Sequence, residues 1–206
     1  LDLPTMSYAI FNNSVSDVKK LHAEYFPLVG PVLEKYEGNL CCLSEGHSVW
    51  EGQTDMKRTA IVIFPSSDKL KGWYNDDAYF KKALPIRLDL TTVPGTGIIS
   101  KVSKSATKEH KAFVIFHNTI TDSEAYQSKY MNELPKTLKA YKGDVLASGS
   151  FEDLECKSPH KECLLLGFGS GEDAKKWYDS QEHQAIIGER QKLEAKGALV
   201  ICAVHS

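Results

Sequence analysis

The sequence predicts an α+β protein built from two βαββαβ units in tandem. Three observations support this fold class. The composition, with 42% hydrophobic and 25% charged residues over 206 positions, is typical of a globular chain. The second half of the chain repeats the first. Within each half, short apolar β-prone runs alternate with segments whose apolar residues recur every three or four positions.

The repeat has a constant offset of 105 residues over its first part. Residues 7–42 align without a gap to residues 112–147, with eight identities that include Asp17/Asp122 and Tyr25/Tyr130. Further along, 64–74 matches 168–178 at an offset of 104, so that two Trp-Tyr pairs coincide. We therefore expect a first unit over 7–104 and a second over 111–206, joined by a linker at about 101–110.

The elements of the first unit follow in order. Residues 7–12 read as a strand, and Ser16 or Asp17 is positioned to cap a helix that runs towards Tyr36. That helix contains prolines and a glycine, which predict a kink, and Gly38 is expected as its left-handed C-cap. Strands are then expected over 39–50 and 57–64, helices from Ser66 or Ser67 and over 79–87, and a last strand over 96–102.

The second unit repeats this order, with strands near 112–118, 144–152, 162–168 and 197–204. The order β-α-β-β-α-β is that of the ferredoxin-like split βαβ fold.

Charge and chain start limit the class of protein. The net charge is −2, and Lys and Arg are scattered among acidic residues, so we expect no nucleic-acid partner. No apolar run is long enough for a membrane span, and we expect no membrane partner. The residues before Met6 are too few and too polar for a signal peptide. Because the chain begins at Leu1, either an upstream segment precedes it or the residues before Met6 are not native.

The cysteines indicate a reducing compartment. An odd number without a regular spacing is typical of a reduced intracellular chain, and we expect a cytoplasmic protein. The five are Cys41, Cys42, Cys156, Cys163 and Cys202.

Several motifs resemble a known family of small domains, the one called domain of unknown function 1330, in the dimeric α/β-barrel superfamily. They are a helix ending Tyr-x-Gly at Tyr36 and Tyr141, the Phe-Pro-Ser at Phe64 ahead of an aromatic pair, and the segment from Ser180 to Arg190. The resemblance implies that the two units pack their antiparallel sheets together as an intrachain pseudo-dimeric α/β barrel. Further association of whole chains stays open.

The sequence also departs from the family pattern. An acidic-Gly step follows the second strand of the first unit as Glu51-Gly52, whereas the second unit has Glu152-Asp153 there. His183 stands where the family has Tyr, and one extra residue precedes Arg87. These changes predict two clefts of different shape.

The resemblance implies a cleft between sheet and helices in each unit, suited to a small apolar or aromatic molecule. An arginine among aromatic side chains there would fix a carboxylate or enolate oxygen. The structural alternative is a Trp-Tyr core anchor with the arginine in a surface salt bridge. The candidate ligand-binding residues are Tyr25, Trp73, Tyr79 and Arg87 in the first unit and Tyr130, Trp177, His183 and Arg190 in the second.

Two histidines are further candidates. His117 lies on the first strand of the second unit, where it would serve as a ligand-binding group, a base or a haem ligand, as in relatives with this fold, or as a structural histidine. His183 is the preferred titrating residue, and the candidate catalytic residues are His183, Arg190 and Arg87. The seven histidines show no metal-binding spacing, so we expect neither a metal site nor a cofactor.

Three functions stay open. The first is a small-molecule binding protein with a cleft in one or both units, whose partner is a small organic ligand. The second is a cofactor-free enzyme, such as a monooxygenase, isomerase or cyclase acting on an aromatic or polyketide-like substrate. The third is a structural or stress-related assembly protein, which predicts that both clefts are closed.

Overall fold

Two five-stranded antiparallel sheets form the centre of the computed structural model, which describes residues 6–206. The expectations about the chain start before Met6 lie outside the described residues. The ten strands are β1 Ser7–Val15, β2 Asn39–Ser44, β3 Ser48–Glu51, β4 Arg58–Phe64, β5 Thr91–Lys101, β6 Ala112–Asn118, β7 Asp144–Ser150, β8 Glu152–Glu155, β9 Glu162–Phe168 and β10 Leu199–Val204.

Six helical segments cover the outer faces of the sheets. Three contain π-helical turns, which lie at Leu21–Tyr25, Tyr79–Ala83 and Gln127–Met131. We number them α1 (18–35), α2 Ser67–Tyr74, α3 (79–90), α4 (123–141, with a break at 132–133), α5 Gly171–Tyr178 and α6 Gln181–Lys192. No helix within residues 6–206 has the length and apolar character needed to cross a bilayer.

The βαββαβ order is confirmed, but each half contributes one short strand to the sheet of the other half. The first sheet has the order β2-β4-β1-β5-β8, and the second has the order β3-β10-β6-β9-β7. The single strand expected over 39–50 is therefore wrong: the chain bends at 45–47, and β3 leaves its own sheet to pair with β10. Likewise β8 leaves β7 and pairs with β5. The limits of the two units stay a prediction, since these exchanged strands tie the halves together.

Side-chain caps place the helices as the sequence indicates. The carboxylate of Asp17 accepts a hydrogen bond from the Lys20 amide, and Asp122 does the same for Ala125, each at 2.9 Å. The predicted kink in α1 takes the form of a π-helical turn followed by a continuous helix, Phe26–Lys35, in which Pro31 is accommodated.

The expected left-handed C-cap is displaced by one residue. Glu37 and Lys142 carry the positive φ, at 58° and 52°, whereas Gly38 and Gly143 do not. The glycines are needed for space, because a Cβ at Gly38 would lie 2.6 Å from Cε1 of Phe64.

Three apolar clusters form the core. One lies between the first sheet and α1–α3, one between the second sheet and α4–α6, and one between the two sheets. Alternation along β1 explains this arrangement: Tyr8 and Ile10 face the other sheet, whereas Ala9 and Phe11 face the helices. The sheets thus pack face to face as an intrachain pseudo-dimeric barrel, and each keeps its outer face for its own helices.

Candidate functional site

A cavity of about 250 Å³ lies between the first sheet and the helices of the first half. Its lining is mostly apolar or aromatic, and it includes all four site residues predicted for this half. The lining residues are Phe11, Asn13, Tyr25, Phe26, Val29, Gly30, Leu33, Leu40, Leu43, Arg58, Ala60, Val62, Trp73, Tyr79 and Arg87. Leu40 and Gly30 are exposed, so the cavity opens between the edge strand β2 and α1.

Aromatic side chains form the buried end of this cavity. Trp73 lies on α2, which begins after its N-cap Ser66, whose hydroxyl accepts a hydrogen bond from the Lys69 amide. The Trp73 ring lies 4.3 Å from the ring of Tyr79 on α3. The hydroxyls of Tyr25 and Tyr79 lie 3.2 Å apart and are hydrogen-bonded to each other. Flat aromatic walls of this kind favour a flat apolar ligand.

Three polar atoms that belong to the lining are buried without a hydrogen-bond partner. They are the indole N–H of Trp73, the amide oxygen of Asn13 and the Nε–H of Arg87. A buried polar group without a partner costs roughly 1–3 kcal/mol. A ligand with a polar substituent would recover part of that cost.

The cavity offers no group that titrates near neutral pH as a base. Burial raises the pKa of Tyr25 and of Tyr79 above the ordinary value of 10, so both stay protonated. No carboxylate and no histidine is among the described residues that line it. Proton abstraction by a side chain of this lining is therefore disfavoured at neutral pH.

Arg87 is held by the strand that the second half donates. Its Nη1 donates to Glu155 at 3.0 Å, its Nη2 also contacts Glu155, and the hydroxyl of Tyr74 donates to the same carboxylate at 2.7 Å. Arg87 is only 4% exposed. The salt bridge of this arginine lies in the interior rather than at the surface, and it joins the two halves.

Arg190 forms the equivalent ion pair in the second half. We call each of these ion pairs, Arg87–Glu155 and Arg190–Glu51, the lock between the halves. It contacts Glu51 on the exchanged strand β3, and Tyr178 donates to the same carboxylate. A second carboxylate, Glu194, also pairs with Arg190. Burial would raise the pKa of Glu51, but the hydrogen bond and charge of Arg190 outweigh it and lower that pKa.

The lock also corrects the alignment of the acidic turn. The counterpart of Glu51-Gly52 is Glu155-Cys156, not Glu152-Asp153, since Glu51 and Glu155 hold equivalent arginines. Gly52 has φ of 74° and Cys156 has φ of 55°, so the turn keeps its left-handed conformation without a glycine.

The cleft expected in the second half is closed at its inner end. Tyr130, Trp177, His183 and Arg190 do come together, with the Trp177 and His183 rings 4.2 Å apart, but all four are fully buried. Strand register shows what fills the space. Phe11 lies opposite Ala60 in the first sheet, and the equivalent Phe116 lies opposite Leu164 in the second, so Leu164 replaces Ala60. By the same repeat, Leu166 replaces Val62 and Leu134 replaces Val29. Three larger side chains thus occupy the inner volume that stays open in the first half. A more polar cavity of about 370 Å³ remains nearer the surface, lined in part by Tyr126, Glu162 and Leu164, and none of the four predicted site residues lines it.

Neither candidate histidine lines the cavity. His183 is buried beside Tyr130, with its Nε2 3.3 Å from the tyrosine hydroxyl, and burial lowers its pKa, so it does not serve there as a titrating group open to a ligand. His117 faces the interface between the sheets, where its Nε2 lies 3.2 Å from Nδ2 of Asn12. His117 is 2% exposed between the packed sheets, and no cavity described above includes it, so its surroundings do not fit a haem ligand. Burial and the neighbouring His160 lower the pKa of His117 to about 3.

Sequence reasoning missed Arg58 and Asn13, which lie opposite each other on β4 and β1. Both line the cavity, and Arg58 is 4% exposed. The repeat contained a signal: the residue equivalent to Arg58 in the second half is Glu162, a reversal of charge on otherwise similar strands.

Comparison with known proteins places this geometry in a family and a fold. The sequence profile of "Domain of unknown function (DUF1330)" matches residues 6–95 and again 111–204. No curated protein matches the chain by sequence.

Solved structures share the fold at low identity. A protein from Fusobacterium nucleatum subsp. nucleatum described as a monooxygenase on provisional grounds has a TM-score of 0.58 and 10% identity, with 98% of this chain and 94% of that chain covered. An anthrone oxidase-like protein has a TM-score of 0.55, 11% identity and coverages of 99% and 93%. A chlorite dismutase variant from Candidatus Nitrospira defluvii has a TM-score of 0.57 and 10% identity, with 96% of this chain and 90% of that chain covered. These likenesses establish the fold.

Proposed function

This chain belongs to the family of domain of unknown function DUF1330, of which it carries two copies, and we propose that it binds one small apolar or aromatic molecule in its first half. The observation that carries the proposal is the apolar cavity of about 250 Å³ lined by Tyr25, Trp73 and Tyr79. A dry cavity of about 150 Å³ is large enough for benzene, so this one has room for a bicyclic aromatic.

The second half would act as a scaffold in this proposal. The inner end of its cleft is filled by Leu134, Leu164 and Leu166, which leaves only the more polar outer cavity. Its exchanged strand carries Glu155 to Arg87 at the cavity wall of the first half. A structural or assembly role predicts that both clefts are closed. The open first cleft therefore favours ligand binding over an assembly role.

The test transfers a residue of the closed half to the open one. Isothermal titration calorimetry with 2-naphthamide measures binding to the unaltered protein and to Ala60→Leu, which introduces the side chain found at Leu164. We expect the affinity to fall at least tenfold, with an unchanged or higher melting temperature because the new side chain fills empty space. Ala140→Leu, at an exposed position in the second half, is the matched control. Equal binding by Ala60→Leu, or no binding by the unaltered protein of both 2-naphthamide and its carboxylate analogue 2-naphthoate, would refute the proposal.

A cofactor-free oxygenase is the second candidate, supported by the fold shared with an anthrone oxidase-like protein. Anthrone and one O₂ would give anthraquinone and one water. Oxygen uptake in the presence of anthrone tests this reaction. We expect no uptake above the uncatalysed rate, because no base is among the described residues that line the cavity. Uptake that disappears in Ala60→Leu would instead establish the enzyme.

A further inference from the structure

We infer that the ligand of this cavity is an amphipathic anion, whose apolar body lies against the aromatic wall and whose carboxylate pairs with Arg58. The inference rests on the proposed function and goes beyond it by naming the chemical class of the ligand. It starts from the two guanidinium groups among the lining residues, Arg58 and Arg87, which differ in how their donors are used.

Arg87 has little capacity left for a ligand anion. Both of its terminal nitrogens contact Glu155, and only Nε lacks a partner. A carboxylate that displaced Glu155 would leave that side chain half-buried without its counter-charge. Arg87 is thus part of the wall and of the lock between the halves.

Arg58 has its paired donors free. Its two hydrogen bonds to Glu45, at 3.1 and 3.0 Å, both come from Nε, and no hydrogen bond from Nη1 or Nη2 is found among the described residues. Its side chain is 5% exposed, whereas that of Glu45 is 24% exposed and also contacts His22. A guanidinium presents five N–H donors in a plane. Neither Nη group of Arg58 is among the buried atoms that lack a partner, so both stay accessible to water or a ligand, and Arg58 lines the cavity. Two adjacent Nη groups match the two oxygens of a carboxylate.

The position of Arg58 is fixed before any ligand arrives. The group lies over the Phe26 ring, with its central carbon 5.8 Å from the ring centroid, and Glu45 holds Nε. Such a preorganised fork loses little side-chain freedom on binding. Its location at the first residue of β4 places it opposite Asn13, whose amide oxygen lacks a partner. That oxygen is an acceptor, so the carboxylate of the ligand is held by Arg58 alone.

The closed half provides the contrast. The residue equivalent to Arg58 is Glu162, whose carboxylate accepts a hydrogen bond from the backbone amide of Ile120 at 3.1 Å. The half that lost the inner cavity therefore also lacks the positive charge. An arginine whose Nη groups have no hydrogen-bond partner among the described residues occurs where the cavity is open, as expected if the two features serve one ligand.

The experiment compares two probes of equal apolar body, 2-naphthoate and its neutral isostere 2-naphthamide, by isothermal titration calorimetry at neutral pH. The unaltered protein should bind 2-naphthoate at least tenfold more tightly than 2-naphthamide. In Arg58→Gln the affinity for 2-naphthoate should fall at least tenfold, while that for 2-naphthamide changes less than threefold. Retained 2-naphthamide binding shows that the variant is folded and its cavity intact.

The outcomes separate this inference from the proposed function. Equal affinity of the unaltered protein for both probes overturns the anion inference alone. If the unaltered protein binds neither 2-naphthoate nor 2-naphthamide, the proposed function is overturned. Should Arg58→Gln lose both probes, Arg58→Lys decides: a retained preference for 2-naphthoate supports the inference, and loss of both probes contradicts it. Preference that survives in Arg58→Gln also contradicts it.

Discussion

Removing the charge of Glu155 should destabilise the protein more than any other single isosteric change at the exchanged strands. Arg87 is 4% exposed, and Glu155 is the carboxylate that both of its terminal nitrogens contact. In Glu155→Gln the guanidinium stays buried and charged without a counter-charge. Breaking one partner of a buried ion pair costs about 3–5 kcal/mol, and we expect a loss in that range.

The matched change in the second half is Glu51→Gln. Arg190 has two carboxylate partners, Glu51 and Glu194, whereas the residue equivalent to Glu194 in the first half is Thr91. Glu194 still neutralises Arg190 after the change, and a glutamine oxygen can still accept from it. We therefore expect a smaller loss of about 1–2 kcal/mol, close to the value of one charge-assisted hydrogen bond.

Urea unfolding at pH 7, followed by tryptophan fluorescence and extrapolated linearly to water, measures both free energies of unfolding. Trp73 and Trp177 are buried on the outer faces of the two sheets, so the signal reports each half. The reasoning is refuted if the two variants lose equal stability, or if Glu155→Gln loses less than about 1 kcal/mol.

Four further changes test other parts of the structure. His117 has a pKa of about 3 in the fold against 6.5 when unfolded, so only the unfolded chain takes up its proton as pH falls below 6.5. Between pH 7 and 5 this costs the native state about 2 kcal/mol, at about 1.4 kcal/mol per pH unit, and His117→Asn should lose that much less on acidification; an identical pH dependence would contradict the assignment. Cys156→Gly should raise the free energy of unfolding by about 0.5–1 kcal/mol, because glycine adopts the positive φ of this position without strain. Gly52→Ala should lower the free energy of unfolding, because a Cβ there would lie 2.8 Å from a backbone oxygen. Thermal unfolding checks the sign of both changes. Leu164→Ala should cost about 2–5 kcal/mol in urea unfolding, and a loss below 1 kcal/mol would show that this side chain does not fill the second cleft.

The sequence determined the fold class because the relevant interactions are local or repeated. Asp17 and Asp122 cap equivalent helices, and the apolar periodicity of each half identifies which segments are strands and which are helices. The same reasoning located the aromatic group around Trp73, since helix spacing and the repeat place those side chains on one buried face. It failed at the helix end near Gly38, where the requirement is space beside Phe64 rather than a positive φ.

The tertiary structure decided which strand pairs with which sheet and which cleft is open. Local propensity gives the same prediction for a strand whether it stays in its own sheet or crosses to the other, so the exchange of β3 and β8 was not visible in the sequence. It brings Glu155 to Arg87 across a separation of 68 residues. Whether a cleft is open depends on the side chain that faces the helices at the position of Ala60 in the first sheet and Leu164 in the second. Only the strand register fixes which side chain that is, because a shift of one residue turns every side chain to the opposite face.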